Sequence, residues 1–381
     1  MNDMKQKSFY LFLVVLLIQL VTSCQTIAQQ TKTTNDKGSF LFHDAHFHLT
    51  NYVQEGISIQ DYLNIMGDKV GRSTLFGIPV QQQWSYRVTG DFAPTYYLDS
   101  DAPLYYYSFT DAYIAMAYKS LSKEDQKRFD PMITGFNPTD MYAAAHIRRV
   151  LETFPGVFTG IGEFSIHKEF VSAKISGDVA SLTDQALDSI FSFCEETGLI
   201  IILHNDVDDP FPKPNTPNYT DDMLKLFKRH PNASITWAHI GLGRIVKPPV
   251  EYGKFFEKIL ADPELKHVNF DISWDEVAKY LTSTEQAIAN TARIINMYPD
   301  RFLFGTDNVA PATQEKHLNV YYMYEPIWKL LTPEASYKVR FGNYERLFDD
   351  AAKKVRTWEA ANVGKPKKAP APTPVSGVRK E

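Results

Sequence analysis

The sequence predicts an α/β protein built as a closed (β/α)8, TIM-like barrel, and three observations favour this fold class. Apolar runs rich in β-branched residues alternate with amphipathic stretches through most of the chain, which is typical of βα units and a parallel sheet. Eight such runs can be counted, and about 320 residues lie between the two ends of the chain, which suits one large barrel. Polar residues end or follow five of the eight runs. A doubly wound open sheet is the alternative, but no glycine-rich phosphate loop follows the first run.

The eight runs are the predicted strands, and the amphipathic stretches are the main predicted helices. The residues Ser181-Leu182-Thr183-Asp184 are typical of a helix start, and Gly198 is typical of a helix end. The next run is continuously apolar as far as His204, as expected for a strand buried on both faces. The predicted strands are Phe40–His48, Ser73–Val80, Pro131–Asn137, Val157–Phe164, Leu199–His204, Ser234–His239, His267–Ile272 and Arg301–Thr306. The predicted helices include Thr139–Phe154, Leu182–Thr197, Asp221–Arg229 and Ser283–Tyr298.

The N-terminal segment is predicted to be an export signal. Two lysines precede an apolar run from Phe9 to Val21, which is too short for a mature membrane span and typical of a signal-peptide core. The run ends in Val21-Thr22-Ser23-Cys24, which resembles the lipobox of bacterial lipoproteins. Residues 1–23 are therefore expected to be removed and Cys24 to carry the lipid that attaches the protein to a membrane. Gln25 favours the outer membrane, and an ordinary cleaved signal with a periplasmic protein is the alternative.

The rest of the chain divides into three parts. Residues 24–39 are expected to be a flexible linker, residues 40–360 the barrel, and residues 361–381, rich in Pro, Ala and Lys, a disordered tail. The net charge of −5 and the lack of a Lys/Arg-rich block argue against a nucleic-acid partner. If Cys24 is lipidated, Cys194 has no partner for a disulfide, and its apolar surroundings predict an inert buried thiol.

An aromatic-rich insertion near residues 81–129 follows the second predicted strand. A helix is expected from Pro103 to Lys119, with tyrosines that pack on the barrel. The part before this helix lies where a barrel places a loop over its substrate, so a lid is expected there.

The pair His46 and His48 is the first candidate for a metal site. Side chains i and i+2 of a strand point to the same face, so the two imidazoles are expected side by side. Further metal-binding side chains end or follow other predicted strands, and the carboxyl ends of barrel strands meet at one mouth. Zinc and related divalent ions take imidazole and carboxylate ligands and lower the pKa of bound water to about 7. The further candidates are Glu163, His204, His239 and Asp307.

These residues stand in segments that resemble the ordered motifs of the amidohydrolase superfamily, in particular its amidohydrolase-related, metal-dependent hydrolase branch. The resemblance extends from about Leu41 to Phe348. It implies a distorted barrel that binds one or two divalent metals and hydrolyses an amide, ester or lactone bond of a small molecule; some relatives decarboxylate or hydrate instead. The segments are Asp44-Ala45-His46-Phe47-His48, Gly160-Ile161-Gly162-Glu163, Leu203-His204, Ala238-His239-Ile240-Gly241, Phe304-Gly305-Thr306-Asp307 and the final Gly342-Asn343-Tyr344-Glu345-Arg346-Leu347-Phe348.

The resemblance also implies roles for these residues, with zinc as the expected metal. Asp307 would be both a metal ligand and the general base that takes the proton from the metal-bound nucleophile. His239 would bind a second metal or polarise the substrate. Glu163 stands where many two-metal members carry a carbamylated lysine, and it is expected to be a ligand that bridges two ions. The other implied ligands are His46, His48 and His204.

Two rival functions and several plainer interpretations stay open from the sequence. A decarboxylase on the same barrel would need basic residues at the mouth, and the substrate-binding candidates are Trp84, Arg87 and Arg244. A non-catalytic binding lipoprotein would lack metal ligands, and none is missing. The plainer interpretations are Asp307 as a helix cap, Glu163 as an ordinary pocket carboxylate, Asn343 as a helix N-cap, and His43, His167, His230 and His267 as hydrogen-bonded core residues. The oligomeric state is not predicted.

Overall fold

The computed structural model describes residues 40–50, 56–78, 107–169, 171–172, 180–210, 219–249 and 251–365. The chain from Phe42 onward forms one compact unit. Several predicted features lie outside the described residues, namely the signal segment with Cys24, the linker 24–39, Trp84 and Arg87 of the expected lid, and most of the tail. Among the described residues, none of the helices combines the length and apolar character that crossing a bilayer requires.

Eight parallel strands form the central sheet, and all eight predicted strands are confirmed with boundaries shifted by a few residues. The sheet order is β1-β3-β4-β5-β8-β9-β10-β11, so neighbours in the sheet follow one another along the chain. A short antiparallel pair, β6 with β7, lies outside this sheet. The strands are β1 (Phe42–Asp44), β2 (Phe47–His48), β3 (Val70–Leu75), β4 (Phe129–Ile133), β5 (Gly160–Ser165), β6 (His167–Lys168), β7 (Val171–Ser172), β8 (Ile200–His204), β9 (Ser234–Trp237), β10 (Val268–Asp271), β11 (Phe302–Leu303) and β12 (Asn308–Val309).

The sheet curls so that its first and last strands meet, which confirms the predicted barrel class. Near the strand ends, Ala45 N donates a hydrogen bond to Phe304 O at 3.1 Å, and β2 pairs in parallel with β12. Further from the mouth a helical segment replaces this strand pairing, because Phe304 N donates a hydrogen bond to Val339 O of that segment at 2.9 Å. The barrel is therefore closed by strand pairing at the mouth and by a helical segment further down.

The predicted helices are also confirmed, with ends that differ from the prediction by up to four residues. Gly198 ends its helix with φ of 81°, the left-handed conformation that glycine adopts without steric cost. The last helix continues to Asn362, two residues past the predicted end of the barrel. The described helices are α1 (Ile59–Met66), α2 (Tyr107–Ser120), α3 (Lys123–Gln126), α4 (Ala143–Thr153), α5 (Gln185–Thr197), α6 (Thr220–Arg229), α7 (Tyr252–Ala261), α8 (Asp275–Leu281), α9 (Glu285–Met297), α10 (Gln314–Met323), α11 (Glu325–Trp328), α12 (Pro333–Tyr337) and α13 (Asn343–Asn362).

Asn343 is not a helix cap, so that interpretation is wrong. The π-helical segment Lys338–Gly342 runs directly into α13, which leaves no free helix N-terminus at Asn343. The amide of Asn343 instead donates to Pro299 O at 2.7 Å and to Phe302 O at 2.8 Å. It thereby fixes the start of α13 against β11.

The barrel interior is filled by strand residues and by one face of α13. Tyr344 and Phe348 of that helix belong to the same buried cluster as Ile200 and Ile202 of β8. The residues of β8 are all buried, as its continuously apolar sequence predicts. Cys194 is a buried free thiol, and burial raises its pKa, which agrees with an inert core residue.

The described part of the insertion is α2, which is tied to the end of β4. Asp111 of α2 is buried, and its carboxylate accepts hydrogen bonds from Thr134 N at 2.7 Å and from Gly135 N at 3.1 Å. Burial raises the pKa of Asp111 to about 7, although these two hydrogen bonds oppose the shift. The insertion therefore returns to the barrel beside the strand ends.

Candidate metal centre

The six residues singled out as metal ligands or catalytic groups lie together at the carboxyl ends of the barrel strands. Their side chains are buried, and the most exposed of them, Asp307, is 10% exposed. The first-strand pair lies side by side as expected, with ring centroids 5.4 Å apart. The six residues are His46, His48, Glu163, His204, His239 and Asp307.

Glu163 lies at the centre of this group, and its two oxygens face different histidines. Oε2 lies 3.4 Å from His48 Nε2 and 3.8 Å from His46 Nε2. Oε1 lies 2.6 Å from His204 Nδ1 and 3.4 Å from His239 Nε2. One carboxylate therefore contacts the first-strand histidines, the histidine that ends β8 and the histidine that follows β9.

Asp307 faces the same histidines from the opposite side of the barrel. Its Oδ1 lies 3.2 Å from His48 Nε2 and 3.3 Å from His46 Nε2, and its Oδ2 lies 3.9 Å from His239 Nε2. The interpretation of Asp307 as a helix cap is wrong, because the next helix begins at Gln314 and is capped by Thr313. The Asp307 carboxylate instead faces the centre.

The arrangement fits a divalent cation. His46 Nε2, His239 Nε2 and Glu163 Oε2 are buried, and the described residues offer them no hydrogen-bond partner. Leaving such atoms unsatisfied costs free energy, which a cation among them removes. Imidazole nitrogen and carboxylate oxygen are the donors that zinc and similar ions take. Three groups have ligand atoms within 4.8 Å of one another: His46, His48 and Glu163; His46, His239 and Asp307; and Glu163, His204 and His239.

A second layer of polar groups holds the imidazole rings in place. His46 Nδ1 lies 3.1 Å from Asp271 Oδ2, and His204 Nε2 lies 3.0 Å from Asp206 Oδ1. His48 Nδ1 lies 3.0 Å from the carbonyl oxygen of Gly77, so it is the donor in that hydrogen bond. These contacts leave one nitrogen of each ring directed at the centre, as in metal sites where a carboxylate or carbonyl orients a histidine ligand.

Four residues of this centre are not among those predicted from the sequence: Asp206, Asp271, Ser273 and Lys168. Asp271 is the last residue of β10, so the rule that pointed to the other strand ends could have found it. Asp206 lies two residues after His204, at the end of another strand. Lys168 and Ser273 gave no signal, because nothing local distinguishes them from surface residues. In the structure Lys168 is 7% exposed, and its Nζ lies 3.4 Å from Glu163 Oε1.

The carboxylates at the centre stabilise positive charge there. Burial alone lowers the pKa of His46, but Asp271 and Asp307 outweigh it and raise that pKa well above its ordinary value. Burial opposes the shifts at Glu163 and Asp307 as well. Lys168 and the histidines nevertheless hold the pKa of Glu163 below its usual range, and the histidines do the same for Asp307. Burial lowers the pKa of His239, which favours its neutral form. Protons on imidazoles or a divalent cation can both supply the charge that these carboxylates favour.

The backbone is strained at the same place. His239, Ile240, Trp274 and Asp307 all have φ between 49° and 82°, a region that side chains with a Cβ rarely adopt. Each such residue costs about 1 to 3 kcal/mol and is held only by the surrounding structure. This conformation turns the chain sharply after the strands and directs His239 and Asp307 inward.

Two glycines permit the close approaches that the centre requires. A Cβ on Gly162, which has φ of 112°, would lie 2.2 Å from Ile202 O of the adjacent β8. A Cβ on Gly305 would lie 2.7 Å from the Cβ of His46. The absence of a side chain at these positions brings Glu163 close to His204 and brings the last strand against His46.

Arg244 lies at the rim and not in the centre. Its guanidinium carbon is 5.7 Å from the ring centroid of Trp274, and its Nε pairs with Glu276 Oε1 at 3.1 Å. The Trp274 ring lies 5.1 Å from that of His239. The other two substrate-binding candidates, Trp84 and Arg87, lie outside the described residues. Four histidines were interpreted as core residues, and each contacts a group other than the six central residues. His43 contacts Glu345 and His167 stacks on Tyr219. His230 contacts Asp188 and His267 contacts Phe227 O.

Comparison with known proteins agrees with this architecture. A family profile described as amidohydrolase matches residues 43–349. A search of curated proteins gives no match. Among solved structures, the fold is similar to an uncharacterised TIM-barrel protein from Bordetella bronchiseptica, with 13% identity, a TM-score of 0.50 and coverage of 81% of this chain and 99% of that one. It is also similar to an amidohydrolase with bound zinc from Burkholderia multivorans (14%, TM-score 0.49, coverage 81% and 99%) and to 2,6-dihydroxybenzoate decarboxylase from Rhizobium (15%, TM-score 0.47, coverage 82% and 98%). At 13% identity, the likeness to the Bordetella bronchiseptica protein shows a shared fold alone.

Proposed function

The chain belongs to the amidohydrolase family, and from this premise we propose that it is a metal-dependent hydrolase that cleaves an amide, ester or lactone bond of a small molecule. The observation that carries the proposal is the convergence of His46 Nε2, His239 Nε2 and Glu163 Oε2, which are buried and unsatisfied among the described residues. A purely structural cluster would have paired them, because an unpaired buried polar atom is costly. The non-catalytic binding lipoprotein is disfavoured, since every ligand that catalysis needs is in place.

We propose that the centre holds two divalent ions, with zinc as the expected metal. His46, His48 and Asp307 would hold one ion, and His204 and His239 the other. Glu163 would bridge the two ions, because its Oε2 faces the first set and its Oε1 faces the second. Such ions polarise a carbonyl group and lower the pKa of a coordinated water to about 7, so that hydroxide is available at neutral pH.

The protein residues would position the substrate and move the proton. Asp307 is ionised because the neighbouring histidines hold its pKa below the usual range, so its carboxylate can accept a proton from the attacking water. The same carboxylate then delivers that proton to the leaving nitrogen or oxygen. His239 Nε2 lies 3.4 Å from Glu163 Oε1 and faces the centre, where it serves as a ligand of the second ion or contacts the substrate. Trp274 and Arg244 line the rim of the mouth, beside the substrate.

A decarboxylase is the second candidate, and one observation favours it. Lys168 and Arg244 both lie against the Trp274 ring, at 5.8 Å and 5.7 Å from its centroid. Two cations beside an aromatic ring that lies next to His239 are suited to a planar carboxylate substrate. Hydrolysis is the stronger proposal, because Asp307 is placed to move a proton in that reaction.

The test is a screen of the zinc-loaded protein against small amides, esters and lactones, with aromatic carboxylates tested in parallel for release of CO2. We expect hydrolysis of at least one substrate class, loss of about 10²–10⁴-fold in kcat/KM in Asp307→Asn, and loss of metal in the double variant His46→Ala, His48→Ala. Release of CO2 without hydrolysis would establish the decarboxylase. Metal content that is unchanged in the double variant would overturn the ligand assignment.

We also propose that the protein is an exported lipoprotein anchored through Cys24, on the grounds of the lipobox-like residues 21–24. In the native host, Cys24→Ala should move the protein from the membrane fraction to the soluble fraction. Mass spectrometry of the mature N-terminus should find lipid on the wild-type protein. Soluble wild-type protein without lipid would contradict the proposal.

A further inference from the structure

Asp271, the last residue of β10, contacts two of the central histidines. It is fully buried, and its Oδ2 lies 3.1 Å from His46 Nδ1. Its Oδ1 accepts hydrogen bonds from His239 N at 3.0 Å and from Ser273 N at 3.1 Å. The Ser273 hydroxyl also donates to Oδ1, and the same hydroxyl oxygen lies 2.9 Å from His239 Nδ1.

The hydrogen bonds of this network determine which nitrogen of each of the two imidazole rings carries a proton. Several donors converge on the Asp271 carboxylate, an arrangement that favours its ionised form, which can only accept hydrogen bonds. His46 Nδ1 must therefore carry the proton in its contact with Asp271. Ser273 has a single hydroxyl proton and gives it to Asp271, so its oxygen must accept from His239 Nδ1. With a divalent ion bound, each imidazole would be neutral and would have one N–H group, which would leave Nε2 of both rings unprotonated.

We propose that Asp271 is a positioning residue that fixes His46 directly, and His239 through Ser273, in the tautomer with the proton on Nδ1. Both rings then direct an unprotonated Nε2 at the centre, which explains why those two atoms have no hydrogen-bond partner among the described residues. The inference rests on the proposed function and deepens it. His239 is thereby a metal ligand or a proton acceptor, and it does not donate a hydrogen bond to a substrate oxygen.

The other two central histidines are oriented independently of Asp271. Gly77 O fixes the proton of His48 on Nδ1, whereas Asp206 faces Nε2 of His204 and leaves its Nδ1 directed at Glu163. Asp271 contacts His46 directly and His239 through its backbone N–H and Ser273, so it links two histidines from different strands. Its loss should therefore disturb two ligands together, whereas loss of Ser273 should disturb His239 alone.

The primary test is the protonation of the histidines in the zinc-loaded wild-type protein. Long-range ¹H–¹⁵N correlation spectra of histidine-labelled protein identify which ring nitrogen carries the proton, and His46→Gln and His239→Gln assign the two signals. We expect a proton on Nδ1 and none on Nε2 in both rings. A proton on Nε2 of His239 would overturn the proposal.

Variants test the link between the two rings. In Ser273→Ala we expect a mixture of tautomers at His239 and an unchanged His46, whereas Asp271→Asn should alter both rings. Asp271→Asn should also weaken zinc binding about 10–100-fold in a chelator competition, as loss of such an outer partner does in other metal sites. Asp275→Asn, which changes a surface carboxylate of α8, is the matched control and should leave affinity and spectra unchanged.

The outcomes separate this inference from the proposed function. If the wild-type protein binds zinc but His239 carries its proton on Nε2, the tautomer proposal fails and the hydrolase proposal stands. If the wild-type protein binds no divalent ion, the proposed function fails, and spectra recorded without metal at alkaline pH still report the two tautomers. If Asp271→Asn does not fold, the wild-type spectra decide. Unchanged spectra and affinity in a folded Asp271→Asn would overturn the proposal.

Discussion

Two clusters of charged residues lie on the same barrel, one near the strand starts and the other at the strand ends. Near the starts, Arg72 of β3 pairs with Asp130 of β4 through Nε at 3.1 Å and Nη2 at 2.9 Å, and through Nη1 with Asp349 Oδ1 at 2.6 Å. Tyr344 of α13 donates to Asp130 Oδ2 at 2.7 Å, and Arg72 N donates to His43 Nδ1 at 3.0 Å. In this Arg72 cluster both Asp130 oxygens accept hydrogen bonds.

The metal centre at the strand ends has the opposite character. Three of its buried polar atoms lack a hydrogen-bond partner among the described residues, and all three belong to groups that can bind a divalent cation. The hydrogen bonds of the Arg72 cluster are complete without any ligand, whereas a divalent cation would complete the candidate metal centre. The two clusters therefore differ in their unsatisfied polar atoms and not in the presence of charge itself.

The backbone conformation also differs between the Arg72 cluster and the candidate metal centre. His239, Ile240, Trp274 and Asp307 have positive φ, whereas the residues of the Arg72 cluster do not. Strain of this kind is retained where the surrounding structure over-determines the conformation, typically at functional sites. Contacts near the strand starts stabilise the fold, and part of that stability compensates for the strained backbone at the strand ends.

The largest effect that would test this comparison is expected for Glu163→Gln. The amide keeps the shape of the side chain but loses the charge and one acceptor oxygen, so bound metal should fall from about two ions to about one. Loss of one ion should lower kcat by about 10²–10³-fold, since a Lewis acid contributes several kcal/mol to the transition state. Elemental analysis and initial rates measure the two effects.

The matched control is Glu345→Gln, because the Glu345 carboxylate contacts His43 outside the centre. It should leave both metal content and kcat unchanged. A wild-type protein that never exceeds one ion under saturating supply would contradict the bridging role of Glu163. Glu163 and His239 would then be groups that face the substrate.

The Arg72 cluster should respond in stability and not in metal content. Asp130→Asn removes the charge opposite Arg72 and should lower the free energy of unfolding by about 3 kcal/mol, the low end for a buried pair because the Arg72 side chain is 22% exposed. Urea denaturation measures this change. Zinc content should equal that of the wild type.

Asp349→Asn provides the control within the same cluster. Asp349 also pairs with Arg72 but is 64% exposed, so its replacement should cost less than about 1 kcal/mol. Loss of zinc in Asp130→Asn would show that the two clusters are coupled, and the comparison would fail.

The smallest expected effect concerns a buried histidine outside both clusters. Burial lowers the pKa of His317 to about 3, and its Nδ1 lies 3.2 Å from the side-chain amide nitrogen of Asn308. The folded state therefore binds fewer protons than the unfolded state, whose histidine has a pKa of about 6.5. Stability from this residue is present above pH 6.5 and is lost as the pH falls towards 3, by about 2 kcal/mol between pH 6.5 and 5.

His317→Gln should flatten this dependence. Urea denaturation of both proteins at a series of pH values gives the difference, because the other titrating groups contribute equally to each. Parallel curves for the two proteins would show that His317 is protonated in the folded state.

The sequence predicted most of the barrel and the inner part of the centre. Apolar runs rich in β-branched residues identified all eight strands, because burial in a sheet imposes an apolar pattern on consecutive residues. Residue type and position at the strand ends identified six central residues, from His46 to Asp307. The interpretation of Asn343 failed because the residues before it continue a helix, which depends on how that segment packs between the first and last strands.

Periodicity, strand order and the chemistry of the ligands are properties of neighbouring residues, so the sequence by itself determined them. Pairing between distant residues was decided only by the tertiary structure. Asp271 meets His46 across 225 positions, and no local pattern encodes that contact. The same holds for the second layer of Asp206 and Lys168, because a hydrogen bond depends on the position and direction of both partners. The physical reason is that the curled sheet sets which strand ends face each other, and only this arrangement fixes which nitrogen of each histidine is left for a metal.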